Sequence, residues 1–308
     1  MRGHLVTLLV GLSACAPAWA LDASVQVEVG VRDDDFEWSI ADTDGHPNVL
    51  SELRWRDLRT RQLGVTAELA PSGPLLYRVR AAYGDSYAGE VRDSDYREGG
   101  RRQEYSRSIS SARGGRMTEF RLALGYPLGG RGADSVGWSL VPLAGLDYRR
   151  LDLHLRDGRQ EVNSPEVPVP LGRFEGLDSW YKAEWLSPWV GIEVARRQAN
   201  GVAVQLGLEL HPLAQYSAEA DWNLRTDLAH PVSFEHRAWG YGLVTSLGLA
   251  YQTRDRRWDL AARLSWQRWR TEDGDDDVYT ADGRILRTRF NGADWRSRAI
   301  SLSAIYRF

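Results

Sequence analysis

Apolar and polar residues alternate along this chain in long, repeated runs. The last is the plainest: Ile300, Leu302, Ala304, Tyr306 and Phe308 share one parity, while Ser301, Ser303 and Arg307 take the other. A period of two marks a strand with one apolar face. The pattern begins at Val25-Val27-Val29-Val31 and returns at Leu53-Trp55 with Leu63-Val65-Ala67-Leu69, at Tyr77-Val79-Ala81-Tyr83 and at Phe120-Leu122-Leu124-Tyr126. It goes on at 138–148, 186–194, 202–210, 241–251 and 258–266. Ten strands are predicted, an even number, as single-chain bacterial membrane barrels require.

Arg78, Arg80 and Arg121 sit in the middle of these strands on the polar parity. An arginine facing lipid costs on the order of 2–4 kcal/mol, so these side chains must point into a polar interior. With Arg263 and the acids Glu28, Glu68, Glu119, Glu193, Glu209 and Asp259 they are expected to form a charge ladder that plugs the barrel. Leu53-Trp55 and Leu63 to Leu69 read as one parity along a long second strand, and the slip at Arg149-Arg150 reads as a bulge.

Connections alternate in length. Short turns are expected at 71–74, 127–135, 198–201 and 254–256, and long polar loops at 33–48, 93–110, 156–178, 222–235 and 270–292. The short side should be periplasmic and the long side extracellular, so function is sought at the long-loop end. The fold class is therefore all-β, a ten-stranded antiparallel transmembrane β-barrel with long extracellular loops.

Composition narrows the compartment. Mean hydropathy is −0.45, and no run after residue 20 approaches the roughly 20 apolar residues that a spanning helix needs. Thirteen Trp and thirteen Tyr against six Phe suit membrane interfaces, which favour rings with a polar tip. Arg2 and His4 precede an apolar stretch, Leu5 to Leu12, and Ala18-Trp19-Ala20 offers a signal-peptidase site. Residues 1–20 are thus expected to be a signal peptide and 21–308 the barrel. Leu12-Ser13-Ala14-Cys15 leaves open lipoprotein processing at Cys15, the one cysteine. A net charge of −3 points to neither nucleic acid nor a polybasic lipid partner. Lys182 is the only lysine, so cationic work falls to arginine, which suits lipid phosphates.

The chain resembles the omptins, ten-stranded outer-membrane endopeptidases of Gram-negative bacteria. Ser51-Glu52-Leu53-Arg54-Trp55-Arg56 is similar to their Ser-x-Leu-x-Trp-Lys segment, and Tyr181-Lys182 with Pro188-Trp189-Val190-Gly191 to their sixth strand. Asn291-Gly292-Ala293 and the closing strand resemble their C-terminal segment, whose final aromatic resembles an outer-membrane assembly signal. The resemblance implies a water activated between an Asp-Asp pair and an Asp-His pair on opposite walls of the mouth, with lipopolysaccharide as activating lipid. Asp93 and Asp95 match the first pair.

The second pair is where the chain departs. Asp221 is in place, but Asn223 stands where the histidine should be, and an amide is no general base. His230 and His236 are the nearest substitutes. Odd positions past Leu210 are expected to face inward, bringing Glu219, Asp221 and Asn223 to the mouth. Asp93 and Asp95 inherit an outward parity unless a bulge at Gly84 or Gly89 shifts the third strand. Asp273, Asp275, Asp276 and Asp277 read as a solvated hairpin tip rather than a calcium loop, since the bidentate Glu is missing.

The expectation is a monomeric surface barrel with a degenerate proteolytic site, bound to outer-membrane lipid and lipopolysaccharide and holding a peptide or host-surface ligand. It needs no cofactor or metal. The alternative is an active omptin-type endopeptidase using Asp93, Asp95 and Asp221 with His230 as a rearranged base. A narrow pore is the weakest of the three.

Overall fold

The computed structural model describes residues 22–71, 73–129, 136–165 and 170–308. The expected signal segment, with Cys15 and the Ala18-Trp19-Ala20 cleavage site, lies outside the described residues.

The chain closes into one antiparallel sheet. Its strands are β1 (Asp22–Ala41), β2 (Ser51–Ala70), β3 (Leu76–Glu98), β4 (Arg102–Ser111), β5 (Arg116–Gly125), β6 (Leu128–Gly129) and β7 (Gly137–Val162). There follow β8 (Gly172–Arg173), β9 (Asp178–Arg197), β10 (Val202–Asp221), β11 (Phe234–Gln252), β12 (Trp258–Tyr279) and β13 (Ile285–Arg307). β4 and β5 are two halves of one position in the ring, both lying between β3 and β7, while β6 and β8 are short pairings onto β7. The ring therefore has ten positions, closed by β1 on β13 and β2 on β3.

The strands run far beyond the thickness of a bilayer. Segments expected as loops at 33–48, 93–110 and 270–292 are largely strand, as is the start of the 156–178 segment up to Val162, because the alternation continues into them. What changes is its sense. In the half nearer the short turns the apolar residues face out, as Val29, Leu63, Leu122, Leu206, Leu249 and Leu302 do. In the other half they face in: Phe36, Trp55, Tyr181, Trp185, Tyr216, Trp269, Phe290 and Trp295 are all at most 1% exposed. The first half is solvated by lipid outside, and the second by water outside with a packed aromatic core within.

Each strand must invert at the boundary, and it does so in one of two ways. On β1, β7, β9, β11, β12 and β13 the sequence changes parity by itself at the boundary, so a regular strand suffices there. The switch at Arg149-Arg150 is of this kind. β7 runs in unbroken register with β9 from Gly137 to Arg156, and the bulge expected there is absent. Arg149 points in and Arg150 out; the irregular residue lies further on, at Asp157 with φ 51°. On β2, β3 and β10 the apolar parity persists, and a bulge turns the strand over. Leu53 and Trp55 thus face in while Leu63 and Leu69 face out, correcting the single parity read for the second strand. Asp57 (φ 52°) marks that bulge and Gly89 (φ 145°) its partner on β3, where an added Cβ would lie 2.7 Å from a Leu58 methyl.

Below the aromatic core the interior is ionic, as expected, except that Arg263 of the expected ladder meets the Gln205 amide rather than a carboxylate. Arg78 binds Glu193 at 2.7 Å and Glu68 at 2.8 Å, Arg80 binds Glu28 at 2.8 Å and Glu119 at 3.0 Å, and Arg121 binds Asp147 at 2.5 Å and Glu209 at 2.8 Å. Asp259 takes Arg197 and Arg307. Arg149 joins the two regions: it pairs with Asp147 at 2.8 Å and lies over the Trp269 ring at 4.8 Å.

The inversion can be tested on one strand. Leu208→Arg and Gln215→Arg both add an outward cation to β10, on either side of its bulge. The first is expected to cost about 2–4 kcal/mol in a lipid-reconstituted urea unfolding assay. The second should cost less than about 0.5 kcal/mol.

Candidate functional site

The bulge at Gly89 turns Asp93 and Asp95 inward, at the long-loop end and well past Tyr83, among the outermost apolar residues that β3 exposes. One of the two positions expected to shift the phase is therefore used. Asp93 lies between Leu53 of β2 and Ser108 of β4, and Asp95 between Ser51 and Ser106. The two carboxyls are half-buried side by side. Burial and then the Asp95 charge push the Asp93 carboxyl well above the usual range, against the Arg225 cation and a hydrogen bond from the Trp222 indole. Asp95 is also raised, by burial first, although the Ser51 and Ser106 hydroxyls and Arg225 pull it down.

Both opposing groups come from one segment, the 222–233 connection between β10 and β11. Arg225 is held by Asp227 at 2.6 Å, and the segment is pinned to the β12–β13 tip by Ala229 N–H to the Tyr279 carbonyl at 2.8 Å and Ala281 N–H to the Asp227 carbonyl at 2.9 Å. What faces the acidic pair is a guanidinium and an indole.

Asp221 does not join them. The bulge between His211 and Ala214 inverts β10, so Ala214, Tyr216, Ala218 and Ala220 fill the core while Glu219 and Asp221 take the opposite face. The expectation that odd positions continue inward fails here because the bulge at Pro212-Leu213 adds one residue to the strand. On that outer side the Asp221 Oδ1 meets His230 Nδ1 at 2.6 Å, the ring lying beside a cleft lined by Pro231, Glu235, Tyr279 and Arg284. The Asp-His contact exists, but on the other face of the wall from Asp93 and Asp95.

Asn223 has a structural task. Its Oδ1 accepts from the Asp178 N–H and the Ser179 hydroxyl, each at 3.0 Å, and its Nδ2 donates to the Gly176 carbonyl at 2.8 Å. It thereby ties the 222–233 segment to the start of β9 and to Gly176 just before it.

The chain matches the family model of Pom, the Protochlamydia outer membrane protein, over residues 26–308. It belongs to that family. Among solved structures it is similar to the outer membrane protease OmpT from Escherichia coli, with a TM-score of 0.76 and 13% identity over 93% of this chain and 97% of that one. It also aligns with the outer membrane protein OprG from Pseudomonas aeruginosa, at a TM-score of 0.40 and 11% identity over 94% and 97% of the two chains. No curated protein matches it. This Pom-family chain is an outer-membrane β-barrel of omptin-like fold.

His236 lies deep in the same barrel. Its Nδ1 meets the Tyr181 hydroxyl at 2.8 Å, which meets the Tyr216 hydroxyl at 2.6 Å, and its Nε2 faces Asp276 Oδ1 at 3.2 Å. Phe290 stacks on the imidazole at 4.3 Å and Trp38 meets it edge-on at 4.8 Å, closing it off from the mouth. Asp276 is 1% exposed and accepts from Thr288 at 2.5 Å, so it is not part of a solvated tip. Asp277 is also buried, pairing with Arg287 at 3.0 Å, whereas Asp273 and Asp275 are exposed, as expected. Among the described residues no group of three or more His, Cys, Asp or Glu is arranged to hold a metal ion.

The raised carboxyls set a pH dependence. The folded chain holds a proton there that the unfolded chain has lost above about pH 4, so this pair's contribution to stability falls as pH rises through that window. Asp93→Asn should therefore unfold at a higher temperature than the parent at pH 8 and at the same temperature at pH 4, measured by intrinsic tryptophan fluorescence in detergent.

Proposed function

We propose that this Pom-family barrel is a closed, monomeric cell-surface protein, with its long-loop end extracellular, that binds an envelope or host-surface ligand at its mouth and does not cleave peptides. One observation carries the reading: the groups set against Asp93 and Asp95 are Arg225 and Trp222, neither of which can take a proton from water near neutral pH. The filled interior, ionic below and aromatic above, favours a closed barrel over a pore. Outward Arg268, Arg270 and Arg296 all lean on the single carboxylate of Asp294, leaving positive charge just beyond the lipid band where lipopolysaccharide phosphates would lie.

A second reading rests on the 2.6 Å contact between Asp221 and His230, an oriented imidazole of the kind a hydrolase uses. It requires a site on the outer wall, apart from Asp93 and Asp95.

The refolded barrel with lipopolysaccharide is to be tested against a fluorogenic peptide library, beside an Asp93→Ala/Asp95→Ala double variant. The expected outcome is equal, background cleavage by both. Cleavage by the parent that the double variant loses would overturn the proposal. Cleavage that both retain and His230→Gln loses would support the outer-wall reading.

A further inference from the structure

At the short-turn end the barrel holds a cup of about 310 Å³, floored by the ionic ladder and walled by β1, β2, β3, β7, β9, β10, β11, β12 and β13. Small side chains make the room: Ser24, Ala195, Ala203, Ala250, Ala261 and Ser303. The volume lies at the lower end of the range of small-molecule sites, about 300–1,000 Å³.

The cations of the cup are not equally compensated. Arg78, Arg80 and Arg121 each touch two carboxylates, and Arg197 and Arg307 share Asp259 at 3.2 and 2.7 Å. Arg263 differs. Its one hydrogen-bond partner among the described residues is the Gln205 amide oxygen, at a long 3.5 Å. Its neighbours across the strands are Gly248 on β11 and Ser301 on β13, which carry no charge. Glu193 is within its electrostatic reach, but both Glu193 oxygens are taken by Arg78 at 2.7 and 2.9 Å. A half-buried guanidinium with spare donors thus lines a polar cavity, and such a group is costly to leave without an anionic partner.

We propose that the cup binds a small oxyanion, a carboxylate or phosphate group, with Arg263 as its cationic anchor. The fork of N–H donors suits either anion. Bound there, the anion completes the ladder at Arg263, which among the described residues has no carboxylate in contact. This holds whichever way the mouth functions.

The test is ³¹P NMR line broadening of inorganic phosphate titrated onto the refolded barrel in detergent at constant ionic strength, with acetate as competitor. The parent should give saturable broadening that acetate reverses, and Arg159→Gln, which removes an exposed cation far from the cup, should match it. Arg263→Gln should bind about tenfold more weakly or not at all. Arg263→Lys should retain part of the effect. Ala261→Leu, which narrows the cup and leaves every ion pair in place, should also weaken binding and guards against a misfolded Arg263→Gln. No broadening by the folded parent would overturn the proposal. So would equal broadening by Arg263→Gln, or loss in Arg159→Gln to the same degree.

Discussion

One wall of this barrel has to serve two solvents. Near the short turns its outer face meets hydrocarbon, so apolar side chains go outward and charges inward. Past the lipid boundary the outer face meets water, and burial of apolar surface is favourable only inside. A strand has two faces and a fixed period, so it cannot satisfy both conditions without changing phase. Every ring strand therefore carries either a change of parity in its sequence or an extra residue in its backbone. The ionic ladder and the aromatic core are what the two regimes look like from within, and Arg149, paired to Asp147 and stacked on Trp269, is where they meet.

The same bulges decide the chemistry of the mouth. The one at Gly89 brings Asp93 and Asp95 inward, next to each other, at an electrostatic cost that Arg225 partly offsets. The one after His211 sends Asp221 outward, where it finds His230. Two halves that the omptin resemblance would place across a water are thus separated by the thickness of a strand. The loop expected to supply a base is instead anchored through Asn223 and presents a cation.

The alternation was legible because lipid enforces it. Val25 to Val31 and Ile300 to Phe308 have one possible sense, and ten such runs define the ring. The inward charges followed from the same rule. Less legible was the upper half, because Trp55 and Leu63 share a parity yet face opposite ways, and the bulge between them is set by Asp57, a residue that nothing local marks out. At Arg149-Arg150 the error ran the other way: a real change of sequence parity looked like a backbone irregularity, when it marks the passage from lipid to water on a regular strand. Asp93 and Asp95 could be found through the resemblance, but Arg225 could not. Its role depends on how a loop folds over the rim, and no period or spacing encodes that.

The phase of β10 past its bulge is the most direct test, since it fixes where Asp221 points. The chain has no cysteine after residue 15, so single cysteines at Ala218 and Glu219 can be probed with a membrane-impermeant thiol reagent on barrels in lipid vesicles. The structure requires rapid labelling at position 219 and protection at 218, whose side chain is buried in the core. Labelling at 218 with protection at 219 would put Asp221 inside the mouth, facing Asp93 and Asp95, and would contradict the separation of the two acidic groups by the barrel wall.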